Sequence, residues 1–367
     1  MKKMFLLAGL LLLAACKHSY HTERSFCYWK TNYSSYSIDQ KMSDSLEVRH
    51  IYMRLFDVGW NPYEKKALPV ATLWDFSDTE NWYNVTPSVY ITNDVFINSS
   101  RQQLDELAVN IKTRLNRILE KTEDATVRYT VYTYHIEDSK AFDECQALEH
   151  KNFKARIKEL MIDCDWTPKS KDNYFYFLSR LKKQVPQLPL SATIRLWQYR
   201  DYELAGVPPV SRGLLMCYNM QDPKNRETAN SIGSASEMEK YVNHNDYPLK
   251  LDAALPIFRW MLAFRGKTLL GIMPEDEVNF DDPLYKKIDD THYEFTSDKV
   301  IGETYYRNGD VIRIERVSDG EMGKMITILK DNIDLEGSRV SFFSWDEKYI
   351  NDYGIKKISG YYEMFGR

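Results

Sequence analysis

Two aspartates stand two residues apart in the otherwise apolar run 160–166, LMIDCDW. Alternate residues of a β-strand point to the same side, so Asp163 and Asp165 are predicted to face the interior of the fold together. Burying two carboxylates costs free energy unless a cation or hydrogen bonds compensate. The pair is therefore either catalytic or sugar-binding, or it belongs to a structural network whose cation would be Arg195 or Lys250.

Aromatic side chains are abundant, with 26 Tyr, 16 Phe and 8 Trp in 367 residues. The tryptophans that lie in or just after strand-like runs include Trp29, Trp60, Trp166 and Trp345. Core packing would explain any one of them, because large aromatic rings dominate protein interiors. Together around one opening they would offer flat faces to sugar rings, so we predict that they bind substrate.

Strand-like and helix-like runs alternate along the chain. Eight strand-like runs begin near residues 26, 50, 85, 160, 190, 212, 250 and 339, and the clearest helix spans 99–121. Such alternation is typical of parallel strands joined by crossover helices. We therefore predict an α/β fold, a single (β/α)8 TIM barrel over 25–367, whose site lies at the carboxyl ends of the strands.

Two further segments fall outside this alternation. The run 129–136 is rich in β-forming residues and is predicted to be extended. Asn308-Gly309 within 305–315 is a strong signal for a two-residue turn, so we predict a small β-hairpin outside the barrel wall.

The first sixteen residues read MKKMFLLAGLLLLAAC. Two lysines precede an apolar core that is too short to span a bilayer, as in a secretory signal peptide. Residues 13–16, Leu-Ala-Ala-Cys, resemble the lipobox of bacterial lipoproteins, whereas a plain signal peptide with a coincidental cysteine is the alternative. The resemblance implies a signal peptide over 1–15, a lipidated Cys16, a tether over 16–24 and attachment to the cell envelope, at the outer membrane of a Gram-negative bacterium.

The composition indicates which kinds of binding partner and cofactor to expect. Removal of the two lysines of the signal peptide would take the formal charge from −4 to −6, and basic residues form no stripe interleaved with aromatics, so nucleic acid is not expected as a partner. The histidines show no ligand spacing, and we expect neither a metal site nor a cofactor. We favour free structural thiols over disulfides for the remaining cysteines, which are Cys27, Cys145, Cys164 and Cys217.

Several short motifs together resemble glycoside hydrolase family 18, the family of chitinases and endo-N-acetylglucosaminidases. The run 163–167, DCDWT, is similar to the end of its fourth-strand motif D-G-x-D-x-D-x-E. Met216-Cys217-Tyr218-Asn219 is similar to its sixth-strand M-x-Y-D, and Trp345 stands where its eighth strand ends in Trp. The chain also resembles uncharacterised bacterial barrel lipoproteins with a fourth-strand D-x-D-W-T.

This resemblance implies a barrel that binds an N-acetylhexosamine glycan, with Asp165 and Tyr218 holding the sugar and Asn219 beside them. The general acid of the family is the final Glu of the fourth-strand motif, and Thr167 occupies that position. A threonine hydroxyl does not titrate near neutral pH, so Asp165, with a pKa raised by Asp163, becomes the candidate acid. Its second carboxylate would come from Asp57, Asp94, Asp252 or Asp346.

Three functions therefore remain open. The first is a lipid-anchored protein that binds a glycan and hydrolyses it through Asp163, Asp165 and Tyr218. The second is a non-catalytic protein that captures glycan or assembles with envelope proteins, its active site having degenerated at Thr167. The third is a barrel whose acids bind a cation or act on a substrate other than sugar.

We predict that the precursor is cleaved before Cys16 and that this thiol carries lipid. Globomycin should cause the uncleaved precursor to accumulate, and Cys16→Ser should release the protein from the membrane fraction, because two or more acyl chains are needed for stable anchoring. Immunoblots of membrane and soluble fractions measure this. Unchanged membrane association of the Cys16→Ser protein would contradict the prediction.

Overall fold

The computed structural model describes residues 19–34, 37–77, 83–244 and 246–366. The predicted signal peptide and Cys16 lie outside these residues. The strands of the described chain are β1 (Glu23–Tyr28), β2 (His50–Asn61), β3 (Lys66–Thr72), β4 (Asn84–Ile91), β5 (Leu160–Asp163), β6 (Leu190–Arg195), β7 (Arg212–Met216), β8 (Leu251–Pro256), β9 (Arg259–Arg265), β10 (Thr268–Ile272), β11 (Tyr285–Lys287), β12 (His292–Phe295), β13 (Lys299–Ile301), β14 (Thr304–Tyr306), β15 (Val311–Arg316) and β16 (Arg339–Phe343).

The helices surround these strands, and a short 3-10 turn spans Glu275–Glu277. In chain order they are α1 (Gln40–Leu46), α2 (Asn93–Asn98), α3 (Arg101–Thr133), α4 (Ser139–Arg156), α5 (Lys171–Gln184), α6 (Leu196–Arg200), α7 (Tyr202–Ala205), α8 (Ala235–Met238), α9 (Asp319–Asn332), α10 (Glu347–Tyr353) and α11 (Ile355–Phe365). Among the helices of the described residues, none has both the length and the apolar composition needed to cross a bilayer.

Eight parallel strands close into a barrel. Their order around the ring is β1, β2, β4, β5, β6, β7, β8 and β16, and β16 pairs with β1 to complete it. Each strand begins within three residues of the predicted position, so the predicted α/β TIM barrel is confirmed. β3 adds an antiparallel partner to the last part of β2.

The prediction for 129–136 was wrong, because α3 continues to Thr133. Its buried stripe runs on at helical spacing through Thr122, Thr126 and Val127, and this packing outweighs the β propensity of the Tyr, Val and Thr residues that follow. Ser100 begins the helix with a capping box, in which its side chain accepts a hydrogen bond from the Gln103 amide.

The excursion outside the barrel wall is larger than a hairpin. It contains β9 to β15, inserted between the barrel strands β8 and β16, and forms a five-stranded antiparallel sheet with a small two-stranded sheet. The strands on either side of Asn308-Gly309 do not pair with each other, since β14 pairs with β13 and β15 lies between β9 and β12. The insertion has its own apolar cluster, which includes Met261, Phe295 and Ile312.

All four cysteines of the described residues are free thiols, as predicted, and three of them are buried. Cys27 points into the barrel, where its thiol lies 3.4 Å from the Ser341 hydroxyl. Burial raises the pKa of the Cys27 thiol to about 12. The three buried thiols therefore act as small buried side chains and stay protonated.

Charged side chains fill the amino-terminal end of the barrel. Arg339 donates a 3.0 Å hydrogen bond to Glu159 and lies 3.5 Å from Asp252, which also accepts from the Tyr52 hydroxyl at 2.6 Å and from Arg212 at 2.5 Å. Asp252 is fully buried and Glu159 nearly so. Burial raises the pKa of Asp252, while Arg212 and Arg339 oppose that rise. The two arginines thus offset the desolvation of the two acids.

We predict that Arg339→Met destabilises the protein by about 3–5 kcal/mol, because it leaves buried acids without their shared cation. Urea unfolding at pH 7 measures this, and Arg117→Met on the exposed face of α3 is the control, with a change within about 0.5 kcal/mol. Equal midpoints for the two variants would show that the network contributes nothing measurable.

Candidate functional site

Asp163 ends β5 at the carboxyl end of the barrel, which we call the mouth. Its side chain points inward, is buried, and accepts a 2.7 Å hydrogen bond from the Thr193 hydroxyl of the neighbouring β6. The β5–β6 register pairs Ile162 with Ala192, so the next positions along the two strands place this acid and this hydroxyl side by side. The interior position predicted for Asp163 is the one observed.

Burial raises the pKa of Asp163 from its ordinary value of 3.8 to about 7. The Thr193 hydrogen bond opposes this rise, and nearby Asp165 adds to it. The cations Arg54 and Arg195 also lower the pKa, without cancelling the effect of burial. A carboxyl group with a pKa near 7 can donate or accept a proton at physiological pH.

Asp165 lies on the rim of the mouth, beyond the end of β5, with about half of its side chain exposed (52%). Its carboxylate is 3.6 Å from the guanidinium of Arg195. The sequence predicted that both aspartates face the interior and that Asp165 would carry the raised pKa. β5 ends at Asp163, two residues before Asp165, so the buried carboxyl with the raised pKa is Asp163.

A second cation comes from β2, which is separated from β5 by β4. Arg54 of β2 makes a two-pronged ion pair with Asp57, with one Nε–Oδ1 distance of 2.6 Å. The same guanidinium lies 5.5 Å from the ring centroid of Tyr90, at the end of β4. Burial raises the pKa of Tyr90 to about 12, with Asp165 and Asp163 adding to it, so its hydroxyl stays a hydrogen-bond donor. The mouth therefore combines a titratable acid, a phenol and two paired arginines.

An aromatic row crosses the mouth next to this polar group. The Tyr218 ring stacks on Phe343 at 4.6 Å, and Phe343 contacts Trp29 on one side and Phe258 on the other. Phe258 meets Trp260 edge to face at 5.6 Å. Trp29 and Trp260 are half-buried at the two ends of the row, so each keeps part of its ring available to a ligand.

Trp260 is held by the insertion. Its indole nitrogen donates a 2.7 Å hydrogen bond to Glu315, which is fully buried and also accepts from the amide and hydroxyl of Ser231. Arg313, buried beside Glu315, donates to three backbone carbonyls of the segment 223–226 that follows β7. This buried ion pair joins the insertion to a barrel loop at the edge of the mouth.

Asn219 follows Tyr218 with a left-handed backbone, φ 53°, and its side-chain oxygen is buried. Within the described part of the chain, no hydrogen-bond donor reaches that oxygen. Buried polar atoms are almost always paired with protein or water, so this unpaired oxygen beside the mouth is unusual.

Three of the tryptophans that were predicted to bind substrate do not offer flat faces around the mouth together. Trp166 is fully buried, stacks on Tyr174 and donates from its indole nitrogen to the Ala205 carbonyl at 3.0 Å, because it faces the outer helices. Trp345 is 1% exposed and packs edge-on against Phe26, so it offers no face to a sugar. Trp60 is half-buried on the part of β2 that pairs with β3.

Each of the residues proposed for a second carboxylate already has a partner in the protein. Asp252 lies at the opposite end of the barrel, in the amino-terminal network, and Asp57 is paired with Arg54. Asp346 caps α10 and forms a 2.8 Å ion pair with Lys30. Asp94 accepts a hydrogen bond from the Thr92 hydroxyl in the first turn of α2.

Thr167, which the motif resemblance aligned with a general acid, belongs to the turn that starts α5. Its amide donates to the Ser170 hydroxyl at 3.0 Å, and its carbonyl accepts from the Ser170 and Lys171 amides. It therefore serves a local structural role. Among the described residues, no group of three or more His, Cys, Asp or Glu side chains is arranged to hold a metal ion.

The sequence analysis did not single out Arg54, Tyr90, Thr193 or Trp260. A signal existed for the first three, since alternate residues of β2, β4 and β6 share the inward side with polar neighbours. No sequence signal existed for Trp260, because its partner Glu315 lies 55 residues away in a different strand.

No protein-family profile matches the chain, and no curated protein sequence matches it. Among solved structures, the spore cortex-lytic enzyme SleL of Bacillus cereus is similar over 88% of this chain and 71% of its own, with 14% identity and a TM-score of 0.41. The chitinase ChiW of Paenibacillus sp. str. FPU-7 is similar over 95% of this chain and 33% of its own, with 9% identity and a TM-score of 0.45.

A xylanase-α-amylase inhibitor protein, XAIP-III, is similar over 93% of this chain and 98% of its own, with 10% identity and a TM-score of 0.41. At identities and scores this low, none of these proteins transfers an activity or a residue role to this chain. What the mouth can bind has to be inferred from its own side chains.

We predict that Asp163→Asn changes the pH dependence of stability. The pKa of Asp163 in the folded protein is about 7, above its ordinary value of 3.8. The stabilisation that this group gives the wild-type protein is therefore fully present below pH 4 and is lost as the pH rises through 7. Three pKa units correspond to roughly 4 kcal/mol. Asparagine does not titrate, so the variant should be similar to wild type near pH 4 and more stable near pH 8.

Urea unfolding of both proteins from pH 4 to pH 8 gives this difference. Asp281→Asn, at an exposed position of the insertion, controls for an Asp-to-Asn change as such. A stability difference between Asp163→Asn and wild type that does not vary with pH would mean that Asp163 is already ionised when buried.

Proposed function

We propose that this chain is a lipid-anchored protein of the cell envelope that binds a glycan at the mouth of its barrel. The observation that supports this most directly is the arrangement of an aromatic row, from Trp29 to Trp260, beside the hydrogen-bonding groups of Asp163 and Tyr90. Sugars present apolar ring faces together with hydroxyls, so they need flat rings and polar groups on one surface. Attachment through Cys16 is part of the proposal.

The unpaired oxygen of Asn219 supports an N-acetylated sugar as the ligand. An amide oxygen can accept a hydrogen bond from an acetamido N–H. A buried oxygen without a partner is stabilised when a ligand donates such a hydrogen bond. Arg54 and Arg195 are each paired with an acid, so the mouth is suited to a neutral sugar better than to a strongly acidic one.

Hydrolysis is a second candidate function, and one observation favours it. Asp163 has a pKa of about 7, which suits a general acid, although its carboxyl is hydrogen-bonded to Thr193 at the bottom of the mouth. The position of the family's acid is occupied by Thr167, which favours binding without cleavage. Release of new reducing ends that is lost in Asp163→Asn, with binding retained, would establish the hydrolytic role.

We predict that the protein binds N-acetylchitotetraose and that Trp29→Ala weakens this binding by roughly tenfold, the equivalent of about 1.4 kcal/mol of lost ring contact. Isothermal titration calorimetry measures the dissociation constants. Trp74→Ala removes another partly exposed tryptophan, which lies against Arg114 of α3 away from the mouth, and should leave binding unchanged.

Equal weakening by Trp29→Ala and Trp74→Ala would mean that the aromatic row does not hold the ligand. If the wild-type protein does not bind N-acetylchitotetraose or isolated peptidoglycan, glycan binding at this mouth is ruled out for N-acetylhexosamine polymers, and the proposal fails.

A further inference from the structure

The helices α3 and α4 extend past the barrel as a hairpin. α3 has 33 residues and is therefore about 50 Å long, whereas a six-residue barrel strand covers about 20 Å. The buried residues of α3 end at Val127, and the one buried residue of α4 is Phe153. Residues 128–152, which we call the prong, therefore have little contact with the rest of the protein.

The prong leaves from the amino-terminal end of the barrel, opposite the mouth. α3 begins near the mouth, where Arg101 donates to a backbone carbonyl at the start of α5. Farther along, Thr122 accepts from the Phe76 amide in the segment that leads into β4. Ile157, just after α4, forms a bridge with Val85 at the start of β4. The root of the prong is thus fixed at the end of the barrel where the strands begin.

Four aromatic side chains are exposed close to the far end of the prong. Tyr132 and Tyr134 are 77% and 74% exposed, and Tyr129 and Phe142 are partly exposed. All four lie within about two helical turns of the loop that joins α3 to α4. Tyrosine has an apolar ring and a polar hydroxyl, which is why it is enriched where a bilayer's headgroups meet its hydrocarbon.

The charge of this tip limits which surfaces can attract it electrostatically. The segment 128–144 contains two basic residues, Arg128 and Lys140, and four acidic ones, which are Glu137, Asp138, Asp143 and Glu144. Its formal charge of 2 − 4 = −2 does not favour anionic lipids or nucleic acid. Contact with a bilayer would therefore depend on the aromatic rings and on proximity.

The amino-terminal segment of the described chain enters the barrel at the end from which the prong leaves, and this would bring the tip close to a bilayer. Tyr20 donates its amide hydrogen to Phe365, His21 accepts from the Gly337 amide, and β1 begins at Glu23. The seven residues from Cys16 to Glu23 span at most about 25 Å when fully extended. From Thr122, at the root of the prong, α3 extends about 17 Å to its end at Thr133. A lipid on Cys16 would thus hold the bilayer within reach of the tip.

We propose that the tip of the prong docks into the headgroup layer of the membrane and, with the lipid on Cys16, forms a second attachment point. Two points of contact at one end fix the orientation of the barrel, so the mouth faces away from the bilayer. This inference rests on the lipid anchor of the proposed function and is independent of glycan binding.

The test uses the full-length lipidated protein in vesicles of phosphatidylethanolamine and phosphatidylglycerol. In a Cys145→Ser background, Tyr132→Cys or Tyr63→Cys is labelled with an environment-sensitive fluorophore; the remaining thiols, Cys27, Cys164 and Cys217, are buried. Tyr63 is the matched control, because it is 95% exposed in the turn between β2 and β3 at the mouth end.

We expect the label at position 132 to shift its emission to shorter wavelength and to be quenched by spin-labelled lipids, and the label at position 63 to behave as in water. This pattern should persist at high salt and in phosphatidylcholine vesicles, because charge does not drive the contact. Identical signals from the two positions on vesicle-bound protein would overturn the docking while leaving the anchor in place, and would point to a protein partner for the tip.

Failure of the protein to bind vesicles at all would remove both the anchor and the docking. The titration with N-acetylchitotetraose, performed on the Cys16→Ser protein in solution, is unaffected by either result. The two proposals can therefore fail separately.

Discussion

The ionic network at the amino-terminal end is the interaction on which the barrel depends most. Arg339 and Arg212 bring together acids from two separate parts of the ring, Glu159 ahead of β5 and Asp252 in β8, with Tyr52 of β2 completing the set. Residues from five barrel strands or their entry points thus share one set of charges. Because the two arginines pair with both buried acids, this end is closed by polar contacts at a point where most interior positions would be apolar.

The mouth is built differently, and its chemistry follows from that contrast. Asp163 has a hydroxyl partner in Thr193, and among the described residues no cation lies within an ion-pair distance of it, so burial raises its pKa to about 7. The arginines of the mouth are paired with the outer acids Asp57 and Asp165. One end of the barrel therefore holds buried acids paired with arginines, while the other holds a carboxyl with a pKa of about 7. Such a difference is common where one end serves stability and the other serves function.

The barrel could be predicted from sequence because each of its strands is marked by a pattern within a short stretch of residues. Each strand is an apolar or alternating run that ends in turn residues, and all eight were located to within three residues. The extent of the insertion could not be predicted, because strands such as β11 and β13 are three residues long and are defined by distant partners. The extended state expected for 129–136 failed for a related reason, since the helix is continued by tertiary packing around Thr126.

The positions of the candidate site residues agree only in part with those expected from the sequence. Asp163 and Tyr218 do lie together at the mouth, because strand periodicity and strand order fix which side chains face inward. Trp166 and Trp345 lie in the core, because position next to a strand end does not fix which way a large ring turns. The contribution of Trp260 depends on a hydrogen bond to Glu315 across the insertion, which no pattern along the chain indicates.

The buried pair of Arg313 and Glu315 has a consequence for how a ligand can enter. Separating the insertion from the loop after β7 would expose a desolvated ion pair and break its hydrogen bonds to backbone carbonyls and to Ser231. Such a step is far more costly than a thermal fluctuation, so this side of the mouth behaves as a fixed wall. Selection among ligands then follows from the shape of a preformed opening, and association needs no opening motion of the insertion.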